Sequence, residues 1–127
     1  MAVSYFIYVN DKENTDFDLE KFNRDIKERF PGVSVEVKND ESCKYDVHFE
    51  YYGAECEFEL WINRDRSVFV IDYFNSKNRL YDYAKYIIWL RSYFSYGREV
   101  LLCDEGYNKT LVLSEGVETE DILEILE

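Results

Sequence analysis

Between residues 43 and 73, apolar side chains recur at every second position. The series runs Cys43, Tyr45, Val47, Phe49, then Cys56, Phe58, Leu60, Ile62, then Phe69, Ile71, Tyr73. The positions between them are mostly acidic, with Asp46, Glu50, Glu55, Glu57, Glu59 and Asp72. A period of two marks strands with one buried and one open face. Turn signals at Tyr52-Gly53 and at Asn63-Arg64-Asp65-Arg66 divide the stretch into two hairpins that share a central strand.

The register that keeps the apolar residues together can be written down, because a slip of one residue would turn every side chain to the wrong face. A turn at Tyr52-Gly53 sets Phe49 opposite Cys56, Val47 opposite Phe58, Tyr45 opposite Leu60 and Cys43 opposite Ile62. On the other face Glu50 then meets Glu55, His48 meets Glu57 and Asp46 meets Glu59. The second turn sets Leu60 opposite Phe69, Phe58 opposite Ile71 and Cys56 opposite Tyr73, with Trp61, Glu59 and Glu57 facing Val68, Val70 and Asp72. Two like-charge cross-strand pairs result, Glu50/Glu55 and Glu57/Asp72. Each costs a few tenths of a kcal/mol, roughly. Two readings of that acidic face stand open: solvated surface of a very acidic chain, or a negative field that a partner uses.

The rest of the chain extends the pattern. Val3, Tyr5, Ile7 and Val9 alternate as a first strand. Thr15 followed by Asp18 is a capping-box-like start for a helix with Leu19, Phe22, Ile26 and Phe30 on one face, and Pro31-Gly32 ends it. Val33, Val35 and Val37 open the meander and pair best with Val47, Tyr45 and Cys43. Ser76 is the expected N-cap of the main helix, which is expected to end near Gly97. Leu80, Tyr83, Ala84, Ile87, Leu90 and Phe94 form its core stripe. A second stripe, Tyr86, Trp89, Tyr93 and Tyr96, is either packing against the last strands and last helix or an interface. Residues 99–104 and 107–113 read as a third hairpin about Glu105-Gly106, and Thr119 caps a short last helix with Glu120 and Asp121 in its first turn. The order is β-α-ββββ-α-ββ-α. The expected class is α+β: a mainly antiparallel sheet, made of a meander over 33–74, a hairpin over 99–113 and the N-terminal strand, with helices on its apolar face.

Length and composition narrow this further. The chain has 127 residues, enough for a single domain over 1–127 with a real core. No apolar window is long enough to span a membrane, and the N-terminus lacks a signal-peptide pattern, so a cytoplasmic protein is expected. Cys43, Cys56 and Cys103 read as small core residues rather than a disulfide framework. The net charge is −12, concentrated over 36–59 and after 115, while 64–98 is comparatively basic. Such a chain is repelled by nucleic acid and anionic membranes and attracted to basic proteins.

Catalytic chemistry finds little support. The single His, His48, lies between Asp46 and Glu50 with no nucleophile motif beside it, so it reads as a strand residue on a solvated face rather than a general base or ligand. With one His and no Cys-x-x-Cys, no metal site of the usual zinc kind and no cofactor is expected. Asp46, Glu57 and Glu59 on adjacent strands are the alternative, a Mg²⁺-dependent hydrolase. The element order there faintly resembles the restriction-endonuclease-like fold. That family's Asp/Glu-x-Lys strand motif corresponds to Glu57-Phe58-Glu59-Leu60-Trp61, which has no lysine.

In size, acidity and aromatic content, with Tyr 12 and Phe 9, the whole chain resembles the immunity proteins of bacterial polymorphic-toxin and contact-dependent growth inhibition systems. The resemblance implies a non-catalytic inhibitor that binds one cognate toxin domain, often a basic nuclease. The surface in this sequence that suits such a partner is Asp46, Glu50, Glu55, Glu57, Glu59 and Asp72, with Trp61 as an apolar anchor. A nucleic-acid mimic, which would occupy the groove of a DNA- or RNA-binding protein, shares the acidic surface and is the other alternative.

Overall fold

The computed structural model describes residues 4–10, 17–95 and 97–126. The elements follow the expected order: β1 (Tyr5–Val9), α1 (Leu19–Arg29), β2 (Ser34–Val37), β3 (Tyr45–Tyr52), β4 (Cys56–Asn63), β5 (Val68–Ser76), α2 (Arg79–Arg91), β6 (Val100–Asp104), β7 (Thr110–Val112) and α3 (Thr119–Leu126). The seven strands form one sheet in the order β2-β3-β4-β5-β1-β6-β7, antiparallel at every pairing. The fold is α+β. The first strand joins the meander to the last hairpin by pairing with both β5 and β6.

The alternation sorts the strands as expected. Ile7, Val47, Phe49, Phe58, Leu60, Ile62, Phe69, Ile71 and Leu102 are buried on one face. The helices lie on that face. Phe22 of α1 packs edge-on against Phe49 and Tyr83 of α2 edge-on against Tyr5, Tyr86 lies tilted against Phe58, and the Tyr5 hydroxyl donates to the α3 carbonyls of Ile125 and Leu126.

The pairing partners differ from expectation in each hairpin: across the second turn Leu60 faces Ile71 and Ile62 faces Phe69, and the first turn also moves. β3 continues to Tyr52 and β4 begins at Cys56, so the connection is Gly53-Ala54-Glu55, closed by the Gly53 N–H on the Cys56 carbonyl at 3.0 Å. Phe49 therefore faces Leu60, Val47 faces Ile62 and Tyr51 faces Phe58. β2 is shifted in the same way, with Val35 opposite Phe49 and Val37 opposite Val47. Each slip is even in residue number, so every face assignment survives except where a bulge intervenes. Two bulges do. One lies between Tyr45 and Val47, and the other is at Asp72, the extra residue where the ladder passes from Leu60↔Ile71 to Glu59↔Tyr73. They remove Tyr45 and Tyr73 from the core face, where the alternation had set them, and bring Phe74 into the core opposite Phe58.

The helix ends also move. Asp18 itself caps α1, accepting the Lys21 N–H at 3.1 Å; Thr15 lies outside the described residues. Ser76 ends β5 instead of capping α2, and its hydroxyl donates to Asp82 at 2.8 Å. Likewise the Asp121 carboxylate, not Thr119, holds the start of α3, accepting the Glu118 N–H at 3.0 Å. α2 stops at Arg91, well before Gly97. The buried Arg91 guanidinium gathers the carbonyls of the following turn, donating to Phe94 at 2.9 Å, Ser95 at 3.2 Å and Arg98 at 3.1 Å, and to Leu113 at 2.6 Å. Those carbonyls satisfy a buried cation only if the chain leaves the helix and wraps around it.

The bulge assignment makes a clear prediction. Phe74→Ala and Phe58→Ala should each lower stability by about 3–5 kcal/mol. Tyr73→Ala, on the open face, should cost clearly less than either, since it removes one hydrogen bond and no core packing. Urea melts of the variants check this; a Tyr73→Ala loss as large as that of Phe74→Ala would mean that Tyr73 belongs to the core.

Candidate functional site: the open face of the sheet

Because the described helices all lie on one face, the other face of the sheet carries no described helix. One row of residues crosses it through all seven strands: Glu36, His48, Trp61, Val70, Phe6, Cys103 and Thr110 are successive cross-strand partners. On one side of that row Ser34, Glu50, Glu59 and Tyr73 are partners in turn. On the other, Val68, Tyr8, Leu101 and Val112 are. The open face is thus divided. Its β2–β4 half is acidic, and its half over β5, β1, β6 and β7 is apolar and aromatic. Tyr107, left-handed at φ 58° in the β6–β7 connection, folds over this second half, stacking on Phe6 at 5.8 Å between ring centroids and hydrogen-bonding to the Tyr8 hydroxyl. Tyr107 nevertheless remains 61% exposed, and Val112 is 48% exposed.

The acidic half gathers part of the expected set. Glu57 accepts from the Tyr73 hydroxyl at 3.1 Å and stands opposite Tyr52 and Asn75, not Asp72. Glu50 stands directly opposite Glu59 rather than Glu55. Among the described cross-strand partners this is the like-charge pair. Burial, together with the hydrogen bond and negative charge of Glu50, pushes the Glu59 carboxyl above its usual range. Asp72 adds to that push from the bulge, where it accepts the Ser4 hydroxyl at 2.8 Å. His48 faces Trp61, not Glu57, and their rings stack at 3.9 Å with 13° between planes. The Lys38 ammonium lies 5.4 Å from the Trp61 ring. The Trp61 anchor therefore has one ring face occupied by His48.

Two residues of the expected surface are elsewhere. Asp46 is a bulge residue, 6% exposed, bound bidentately by Arg66 at 2.5 and 3.1 Å with Arg64 at 4.0 Å. Burial would raise its pKa, but the hydrogen bonds and charge of Arg66, with Arg64 behind, outweigh that and hold it below the usual carboxylate range. It is a structural partner of the β4–β5 turn. Glu55 is exposed in the β3–β4 turn, at the rim of a cavity of about 220 Å³ on the helix side lined also by Arg29, Phe30, Cys56, Lys85 and Tyr86. The hydrolase constellation of Asp46, Glu57 and Glu59 is accordingly not assembled. Among the described residues, the three metal-capable side chains whose donor atoms lie within 4.8 Å of one another are His48, Glu50 and Glu59. The sequence offered no route to this trio, since the expected turn separated Glu50 from Glu59.

The second α2 stripe is packing. Tyr86 is buried, Trp89 lies against Phe22 and Phe30, and the Tyr93 hydroxyl donates to Asp25 at 2.6 Å. Trp89 and Tyr93 pack on α1 and Tyr86 on Phe58 and Phe74 of the sheet, rather than on the last strands and last helix; Tyr96 lies outside the described residues. No helix among the described residues is long and apolar enough to cross a membrane.

Comparison with family models, curated proteins and solved structures gives no match. The open face must be judged on its own chemistry.

The Asp46 ion pair sets a pH dependence. Folding lowers this pKa, so the stabilisation is full above the ordinary aspartate value of about 3.9 and is lost as the pH falls through the lowered one. Asp46→Asn should cost about 1.5–3 kcal/mol at pH 7, as for a hydrogen bond to a charged group. Arg66 keeps some contact with water, which favours the lower part of that range. The gap between wild type and variant should close as the medium is acidified below about pH 4. Chemical denaturation across that range checks it.

Proposed function

We propose that the protein is a non-catalytic, immunity-type inhibitor that binds a cognate basic protein, a toxin domain of nuclease type, through the open face of its sheet. The observation that carries this reading is the division of that face. An antiparallel sheet with one face to water ordinarily presents mixed polar residues there. This one sets Glu36, Glu50, Glu57 and Glu59 beside Val68, Val70, Phe6, Tyr8, Leu101 and Val112. Carboxylates beside an apolar field match the anatomy of a protein interface: charge guides approach, and buried aromatic and aliphatic contact holds the complex. The direct Glu50/Glu59 opposition costs stability within the free chain, and a lysine or arginine from a partner would relieve it. A net charge of −12 extends the attraction beyond contact range. Nothing in this reading requires a reaction at the face.

On this proposal the contact surface differs from the one expected from the sequence in two ways. Asp46 and Glu55 leave the contact set, and the apolar half from β1, β5, β6 and β7 enters it. The site of contact then spans both the acidic strip and the Phe6–Tyr107 cluster.

The test uses a basic partner domain, identified by pull-down or from a neighbouring coding sequence, and association rates at two salt concentrations. Reversing Glu36 and Glu57 to Lys should slow association about tenfold or more at low salt and flatten its salt dependence, since steering is lost. Reversing Glu20 and Glu28, exposed on α1, should leave the rate near wild type. If the α1 reversal slows association and the sheet reversal does not, the partner binds the helical side and the reading fails.

A further inference from the structure

We infer that His48, Glu50 and Glu59 form a binding site for one divalent transition-metal ion of the zinc class. This goes beyond the partner reading and does not depend on it. The donors come from neighbouring positions of one rigid ladder. Glu50 and Glu59 are direct cross-strand partners on β3 and β4, and His48 is two residues before Glu50 on the same face. One donor atom from each lies within 4.8 Å of the other two.

A second observation, independent of the carboxylates, singles out the position. The Nε2 atom of His48 is buried and has no hydrogen-bond partner. Glu59 Oε1 approaches it only to 3.8 Å, beyond hydrogen-bond length. A buried imidazole nitrogen ordinarily finds a partner, and one without a partner needs an explanation. Its ring is held against Trp61, so the nitrogen cannot swing away to solvent without breaking that stack. A metal ion would complete it.

Charge and reach agree with that ion. Two carboxylates and an imidazole nitrogen offer a divalent cation three donors, and the cation would neutralise the negative charge that Glu50 and Glu59 bring together. Zinc-class bonds to histidine nitrogen and carboxylate oxygen are about 2.0–2.2 Å. The donors must therefore close in further, and the two long glutamate side chains can do so by rotation while the fixed His48 ring sets the position. One nitrogen and two oxygen donors favour zinc, cobalt or nickel over calcium and magnesium, which take oxygen ligands. Three protein ligands leave a coordination position open.

The experiment is calorimetric titration of tag-free, chelator-treated protein with Zn²⁺, and with Co²⁺ while the tryptophan fluorescence is followed. The expected result is saturable binding of one ion per chain, with Co²⁺ quenching emission that Trp61→Phe removes. His48→Gln, Glu50→Gln and Glu59→Gln should each weaken Zn²⁺ binding by at least about tenfold, the least that disturbing a metal's surroundings costs. Their metal-free melting curves should show folded proteins. Glu57→Gln, on the same face but outside the trio, should bind as wild type does. Absence of saturable binding, or equal weakening by Glu57→Gln and Glu59→Gln, would overturn the site, the latter showing diffuse attraction to an acidic surface. No partner is present in this experiment, so its failure leaves the charge-reversal test of the open face standing.

Discussion

Everything in this structure depends on the sheet being covered by the described helices on one face only. A strand buried on both faces reads as a continuous apolar run, whereas a half-covered sheet requires strict alternation. The alternation through β3, β4 and β5 is the sequence's answer to that requirement. It sends Val47, Phe49, Phe58, Leu60, Ile62, Phe69 and Ile71 towards α1 and α2, and it frees the intervening positions from packing. α2 is the element that closes the core. It meets the sheet through Tyr83 and Tyr86 and meets α1 through Trp89, with Tyr93 in the following turn adding to that contact, which is why it is aromatic on more than one side. The buried Arg91 then ties the end of α2 to the strand leading into α3 through the Leu113 carbonyl.

The positions freed on the open face are where function can be written. A sheet is a stiff platform, and side chains two residues apart on one strand, or opposite one another on two, hold fixed spacing. Here the platform carries two chemistries in adjoining fields. The carboxylates of β3 and β4 crowd until Glu59 is reluctant to ionise, while Phe6, Tyr8 and Tyr107 build an aromatic cluster only a few strands away. Trp61 and Val70, partners across β4 and β5, mark the seam between the two fields. The proposed recognition of a basic protein and the proposed metal site would both draw on the same crowding of carboxylates, and both would relieve it.

The element order, the α+β class and the core face of the strands were legible in the sequence because each rests on a period, and periods tolerate slips. A turn misplaced from Gly53-Ala54-Glu55 to Tyr52-Gly53 moved every β3–β4 pair while leaving Phe58 and Leu60 in the core. What a period cannot reveal is a bulge. The extra residue at Asp72 and the irregularity after Tyr45 sent two tyrosines to the open face, and local alternation gives no sign of either. Site residues suffered more than core residues, because a site depends on which side chains are opposite, not merely on which face they share. Glu50 and Glu59 met only once the true turn was known. Asp46 alternated like a surface acid, yet the pairing of Arg66 with it follows from the conformation of the β4–β5 turn, where Arg66 has a left-handed φ of 60°. The end of α2 was hidden for a related reason: a buried arginine that gathers carbonyls is a tertiary event without a local signature.

The chain's two tryptophans lie on opposite sides of the sheet, Trp61 on the open face beside His48 and Trp89 between α1 and α2. Their indole N–H signals therefore report which side a partner covers. In an isotope-labelled sample titrated with the basic partner domain, the account predicts that the Trp61 indole signal shifts or broadens on binding while that of Trp89 stays in place. A perturbed Trp89 with an unmoved Trp61 would contradict it and place the interface on the helices.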